Sequence, residues 1–220
     1  MPESASFSMR SKPNFRRRRT VLVLVLIVVG VVIAVLVSRG GGGHTAGGIP
    51  IPTFHFTATT RQVTQGRRPG PGAAQGEASG IVKMFDDFYQ EAFVDPTKWG
   101  DGQFPDLRAM FSREAQASFA KDLPSLTIGE ARTELQRVDP APSALVVTVY
   151  FDAPGRPAFA VAAATFNASG TPNQKGPKLL IAQKATFYMQ KVGSAWTITA
   201  YDASQSQGTP SPSPSARPSR

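Results

Sequence analysis

Residues 179–202 read LLIAQKATFYMQKVGSAWTITAYD, and the fold turns on how this stretch is read. Two segments rich in β-branched and aromatic residues, 179–190 and 194–202, flank Val192-Gly193, a tight hairpin connection. Upstream, SALVVTVYFD (143–152) and AFAVAAATFNA (158–168) have the same character between Pro and Gly punctuation, so the second half of the chain predicts a run of antiparallel strands. TIGEARTELQRV (127–138) fits a helix or a strand; Thr127-Ile128-Gly129 at its start and Asp139-Pro140 at its end favour a strand closing into a hairpin.

The first half has a different period. In 78–95, ASGIVKMFDDFYQEAFVD, Ile81, Met84, Phe85, Phe88, Ala92 and Phe93 recur at helical spacing, with Asp86, Asp87 and Glu91 on the other side. Ser79 is placed to cap this helix and Asp95-Pro96 to end it. Pro105 suits the first turn of a short helix, and Ser112 a cap for another ending near Leu123. Helices followed by strands predict an α+β domain over 80–203, with helices packed on one face of a curved antiparallel sheet. Phe187, Trp196, Ile198 and Tyr201 are expected to line or close its concavity.

Outside that domain the composition changes. Residues 21–37, VLVLVLIVVGVVIAVLV, carry no charge, and 15 of these 17 are Val, Leu or Ile. As a helix they cover about 26 Å, slightly less than a ~30 Å hydrocarbon core. Thr20 and Ser38 extend the run to 20–38, and Arg19 and Arg39 can reach the headgroups. The basic tail 1–19, with Arg16, Arg17, Arg18 and Arg19 beside the run, places the N-terminus in the cytoplasm and the rest outside. A cleaved signal peptide competes, but the run exceeds the usual 7–15 residues and no A-x-A site directly follows it.

Residues 39–79, rich in Gly and Pro, read as an extracytoplasmic linker, a flexible coil spanning roughly 35 Å. Within it Ile49, Ile51, Phe54 and Phe56 recur with period two in IPIPTFHF. This segment either packs on its own domain as a belt or docks another protein by strand addition. Residues 204–220 read as a disordered Ser/Pro tail.

The chain has 24 basic and 15 acidic residues, a net +9, but the foldable part 81–203 holds twelve basic and thirteen acidic groups. A nucleic-acid surface needs its positive charge clustered on the folded domain, so this distribution argues against one. No cysteine and only two histidines, His44 and His55, leave no thiol chemistry and no His-rich metal set, and no cofactor motif is present. GGGGHTAGG lacks the Lys-Ser/Thr of a phosphate loop, and neither G-x-S-x-G nor HExxH occurs. Asp95, Asp101 and Asp106 lack calcium-loop spacing and read as turn and cap residues around Trp99. Asp86, Asp87, Glu91, Glu130 and Glu134 read as surface charges, the last two pairing around Arg132 on a strand. Tyr89, Tyr150, Tyr188 and Tyr201 read as packed aromatics.

Over 81–202 the pattern resembles the nuclear transport factor two-like (cystatin-like cone) superfamily: a long aromatic helix, short helices, then a bent antiparallel sheet ending in FYMQKVGSAWTITAYD. The resemblance implies a cone-shaped fold that hosts enzymes, ligand binders and scaffolds alike. In the ketosteroid isomerase-like and polyketide cyclase-like branches it would imply an inward carboxylate or His base, and the domain contains no His. For a small apolar ligand, Phe85, Phe88, Phe166 and Trp196 would line the cavity. A single-pass anchor before such a domain also looks like the bitopic component of type IV secretion machines, and like membrane proteins associated with mammalian-cell-entry lipid transporters. Sixteen Arg to eight Lys suggests a high-GC bacterial, actinobacterial, chain. The expectation is a non-catalytic accessory subunit of an envelope assembly, with the bilayer, a protein partner and a second copy as possible contacts. The alternatives are a binder of an apolar ligand or lipid and an isomerase- or dehydratase-like enzyme.

Overall fold

The computed structural model describes residues 45–46 and 48–209. The apolar run 20–38, Arg16 to Arg19 and residues 210–220 lie outside them. Among the described residues no helix is long and apolar enough to cross a membrane.

The domain is α+β, with helices against a curved, mixed sheet. A small hairpin comes first, β1 (Thr45–Ala46) with β2 (Ile49–Pro50). After an extended belt, 51–56, β3 (Thr57–Thr64) and the helix α1 (Ala73–Tyr89) follow. Gln90–Val94 continue α1 as a π-helical turn, closed by Asp95 N–H donating to the Gln90 carbonyl at 2.8 Å. Phe93 stacks on Tyr89, four residues earlier, at 5.4 Å between ring centroids. Next come a 3-10 turn (Pro96–Lys98), α2 (Pro105–Ala109), α3 (Gln116–Leu126) and a second 3-10 turn (Gly129–Thr133). The strands β4 (Leu135–Pro140), β5 (Ala144–Phe151), β6 (Pro157–Pro172), β7 (Leu179–Val192) and β8 (Ala195–Gly208) complete the chain.

The sheet runs β3-β5-β6-β7-β8. The last four strands of this path pair antiparallel, as expected, but β3 pairs parallel with β5 from Thr57↔Ala144 to Thr64↔Phe151, so the sheet is not purely antiparallel. The first part of β6 pairs with β5 and its last part with β4. Changing partners along one long strand bends the sheet, as does the bulge between Tyr188 and Met189. Gly170 on β6 opens room for the Leu135 side chain, which a Cβ there would meet at 2.7 Å.

Several boundaries differ from the sequence reading. The segment read as linker 39–79 holds β1 to β3 and the first turns of α1. Gly72, in the left-handed region at φ 77°, begins that helix, and Ser79 instead donates its hydroxyl to the Gln75 carbonyl. β8 extends to Gly208, into the stretch read as tail. Residues 129–133 are a 3-10 turn rather than strand, and β4 pairs with β6 instead of closing a hairpin with β5. α3 continues past Leu123 to Leu126, where the Thr127 N–H and hydroxyl both donate to the Leu123 carbonyl.

The core lies between the helices and one face of the sheet. Ile81, Phe85 and Phe88 of α1 face Val147, Phe166 and Phe187, all fully buried. Burying one such side chain contributes roughly 1.5–3 kcal/mol.

Candidate functional site

The space between the helices and the curved sheet is where the resemblance would put a ligand, and aromatic rings occupy it. Phe85 lies 4.7 Å from Phe187, and Phe88 lies 5.8 Å from the same ring. Phe166 touches Phe93 at 4.8 Å and Tyr89 at 5.2 Å. Phe85, Phe88 and Phe166, expected to line a cavity, therefore fill the space. Trp196 does not line it either: it is half-buried at the edge, where its ring N–H donates to Glu77 at 3.1 Å. The Glu77 carboxylate also accepts from Lys191, whose ammonium lies over the indole at 5.8 Å. Glu77 thus ties the start of α1 to the last hairpin.

Part of that filling comes from the belt. Ile51, Phe54 and Phe56 are buried, and the Phe54 ring packs edge-on to Phe56 at 4.8 Å and to Phe166 at 5.3 Å. Two side chains, Asp86 of α1 and Gln90 at the start of the π-helical turn, hold the backbone down. Gln90 accepts from the Phe54 N–H at 2.8 Å and donates to the Pro52 carbonyl at 3.2 Å. Asp86 accepts the Phe56 N–H on one oxygen and pairs with His55 on the other, both at 2.9 Å. Partner docking through Ile51, Phe54 and Phe56 is therefore corrected: these side chains belong to the chain's own core. Ile49 starts the same segment in β2.

One buried polar chain crosses the interior. The Tyr89 hydroxyl donates to Gln183, whose amide donates to the Ser125 carbonyl at 2.6 Å. Burial pushes the Tyr89 phenol far above its ordinary value, so it stays a neutral donor. Its hydroxyl hydrogen is engaged, because the Gln183 side-chain oxygen accepts it in a hydrogen bond. Tyr201 donates to Asp122 at 2.9 Å, and burial followed by that carboxylate raises its pKa.

The carboxylates lie where they pair or cap. Asp87 is exposed and bonds Lys83 one turn earlier at 2.6 Å. Glu91 is partly buried, and burial, then the nearby Asp106 charge, raise its pKa. Asp95 accepts from the Thr97 N–H and hydroxyl, and Asp101 from the Gln103 N–H, next to the buried Trp99. Glu130 is exposed and approaches Arg132 at 3.4 Å across the 3-10 turn, not along a strand. Among the described residues no group of three His, Cys, Asp or Glu side chains could hold a metal.

A hollow of about 10 Å³ beside Ile51, Pro52 and Val94 has room for one water. A shallow depression of about 290 Å³ lies on the outer face of the sheet, among Ala163, Thr165, Lys184, Thr186, Asp202 and Ser204. Sequence reasoning missed this face and the buried Gln183. The signal for Gln183 was available: it falls in the apolar register of 179–190, in step with Ile181, Ala185 and Phe187.

No protein-family model, no curated protein and no solved structure matches the chain.

Proposed function

We propose that this chain is a single-pass, membrane-anchored interaction module, a non-catalytic accessory subunit of an extracytoplasmic envelope assembly, built on a cone-like domain of the nuclear transport factor two-like kind. One observation carries the reading: the interior is closed by the chain's own aromatic rings, while on the other face of the sheet Ala163, Thr165, Lys184, Tyr188, Asp202 and Ser204 are exposed. A domain of this shape has its free surface, rather than its inside, to offer a partner. The closed interior favours this reading over the ligand-binding and isomerase-like alternatives.

The long α1 laid on a curved sheet supports the cone-like assignment, and β3, placed before the helix and parallel to β5, departs from the pattern of the resemblance. The uncharged run 21–37 behind a four-arginine cluster supports the anchor. With β1 starting at Thr45, only residues 39–44 separate run and domain, and six residues reach at most about 20 Å. The domain would then sit against the membrane surface rather than at the end of a long linker.

The test is copurification of the full chain from gently solubilised membranes through a tag on residues 1–19. A stoichiometric membrane or secretion component is the expected result. A chain recovered without any protein, carrying a lipid or small molecule instead, would overturn the reading in favour of a cavity binder.

A further inference from the structure

We propose that the loop between β6 and β7, residues 173–178, with Leu180 behind it, is a second membrane contact that lies in the headgroup layer of an anionic lipid surface. The inference rests on the anchor reading and deepens it by naming the part of the domain that meets the bilayer.

Connectivity selects that end of the domain. Residues 39–44 hold Thr45 within about 20 Å of the end of the apolar run. Thr45 pairs with Pro50, and Pro50 shares the small hollow with Gln136 and Arg137 of β4. Arg137 stands opposite Thr171 near the end of β6, and the Asn173 N–H donates to the Glu134 carbonyl at 2.7 Å. The tether and the loop therefore share one end of the molecule. The hairpin between β7 and β8 is at the other end, because β7 runs from Leu179 to Val192, a span of about 44 Å. Only the first of these ends is kept within reach of the surface by the tether.

The loop has the composition for that place. Residues 173–178, NQKGPK, are all exposed and carry Lys175 and Lys178 with no acid among them. Lys175 makes no ion pair with a described residue. Lys178 makes a long one, 3.8 Å to Asp139, whose carboxylate Arg137 already holds. Glu134, exposed at the root of the loop, offsets part of this charge. Leu180, at the start of β7, is 48% exposed. Two long ammonium side chains can reach lipid phosphates while a leucine beside them enters the acyl boundary. The helix side of the same end is acidic. Asp95 adjoins Val94 and Pro96 at the hollow, and Glu91 and Asp106 lie near it with Lys98 as their counter-charge. An anionic surface repels that side, so the domain tilts to bring the loop down.

The experiment uses the full chain, which has no cysteine, labelled with a fluorophore at Gln174→Cys or Val192→Cys. It is reconstituted into vesicles of phosphatidylcholine alone or mixed with phosphatidylglycerol, with spin-labelled headgroups as quencher. The label at 174 should be quenched and the label at 192 should not. Quenching should fall without phosphatidylglycerol, and should fall when salt rises from about 0.1 M to about 1 M and the screening length drops from about 10 Å to about 3 Å. Each lysine near an anionic surface contributes about fivefold to the ratio of docked to undocked domain, so K175Q with K178Q should lower it roughly twenty-five-fold. L180S should lower it several-fold, with circular dichroism unchanged in every variant. No quenching at 174, equal quenching at 174 and 192, or quenching indifferent to the anionic lipid and to both lysines would each overturn the contact. A cross-link from Gln174→Cys to another protein in native membranes would also overturn it, while leaving the interaction-module reading intact. A chain that alkaline carbonate strips from the vesicles would overturn the anchor and the contact together, whereas a chain that resists carbonate without quenching at 174 would overturn the contact alone.

Discussion

Replacing Phe54 with Ala tests whether the belt is core or clasp. The ring is 3% exposed, and its neighbours are Phe56 at 4.8 Å, Phe166 at 5.3 Å and Tyr89 at 6.1 Å. An aromatic side chain of this kind buries roughly 150–250 Å². At about 25 cal/mol per Å² that is roughly 4–6 kcal/mol of transfer free energy. The belt backbone stays anchored by Asp86 and Gln90, so the site can collapse only partly, and a cost of about 3–5 kcal/mol follows. A domain of this size has about 5–15 kcal/mol in total. With a urea dependence of about 2 kcal/mol per M, the unfolding midpoint should fall by roughly 2 M. The assay is urea denaturation followed by tryptophan fluorescence, since Trp99 is buried and should report loss of the core. A midpoint shift below about 0.5 M would refute the placement of Phe54 in the core. A variant of unchanged stability that lost a partner in copurification would restore the clasp reading.

Four further outcomes are expected. Tyr89→Phe leaves the buried Gln183 oxygen without its donor and should cost about 1–3 kcal/mol in the same denaturation assay. Because the phenols of Tyr89 and Tyr201 stay protonated in the fold while unfolded tyrosine ionises near 10, stability should be full below about pH 10 and fall above it. The fall should be shallower in Tyr89→Phe, and equal slopes would contradict the burial argument. Glu91 has its pKa raised by burial and then by Asp106, so its ionisation disfavours the fold and stability declines as pH rises through the carboxylate range. Glu91→Gln should therefore raise the melting temperature at pH 7 and leave it unchanged at pH 3. A chain beginning at residue 80 lacks β3, the belt and Glu77, and should fail to give a cooperative melt where one beginning at residue 45 succeeds.

Legibility varied with how local each cause is. The alternation of β5 to β8 and the apolar stripe of α1 arise from side chains two or three to four residues apart, so they could be read directly. β3 could not: TATTRQVT has one large aliphatic residue and sits among Gly and Pro. Its stability comes from parallel pairing with β5, more than 80 residues later in the chain. Residues 129–133 failed for a related reason, since a short polar turn and a short polar strand look alike until a neighbour accepts or refuses the pairing. Asp86 reads as an exposed carboxylate on a helical wheel, and only the belt folding back over it supplies the Phe56 N–H it accepts.

By itself the amino-acid sequence determined the α+β class, the sequence of the main helix and the last four strands, and an apolar run flanked by arginines. These depend on periodicity and composition, which are properties of neighbours along the chain. Tertiary structure alone decided whether the interior is open or full. Phe54, Phe85, Phe88, Phe93, Phe166 and Phe187 come from the belt, the long helix with its π-turn, and two strands, and each reads the same in the sequence whether it lines a cavity or fills one. Only their convergence to ring contacts of about 5–6 Å closes the space.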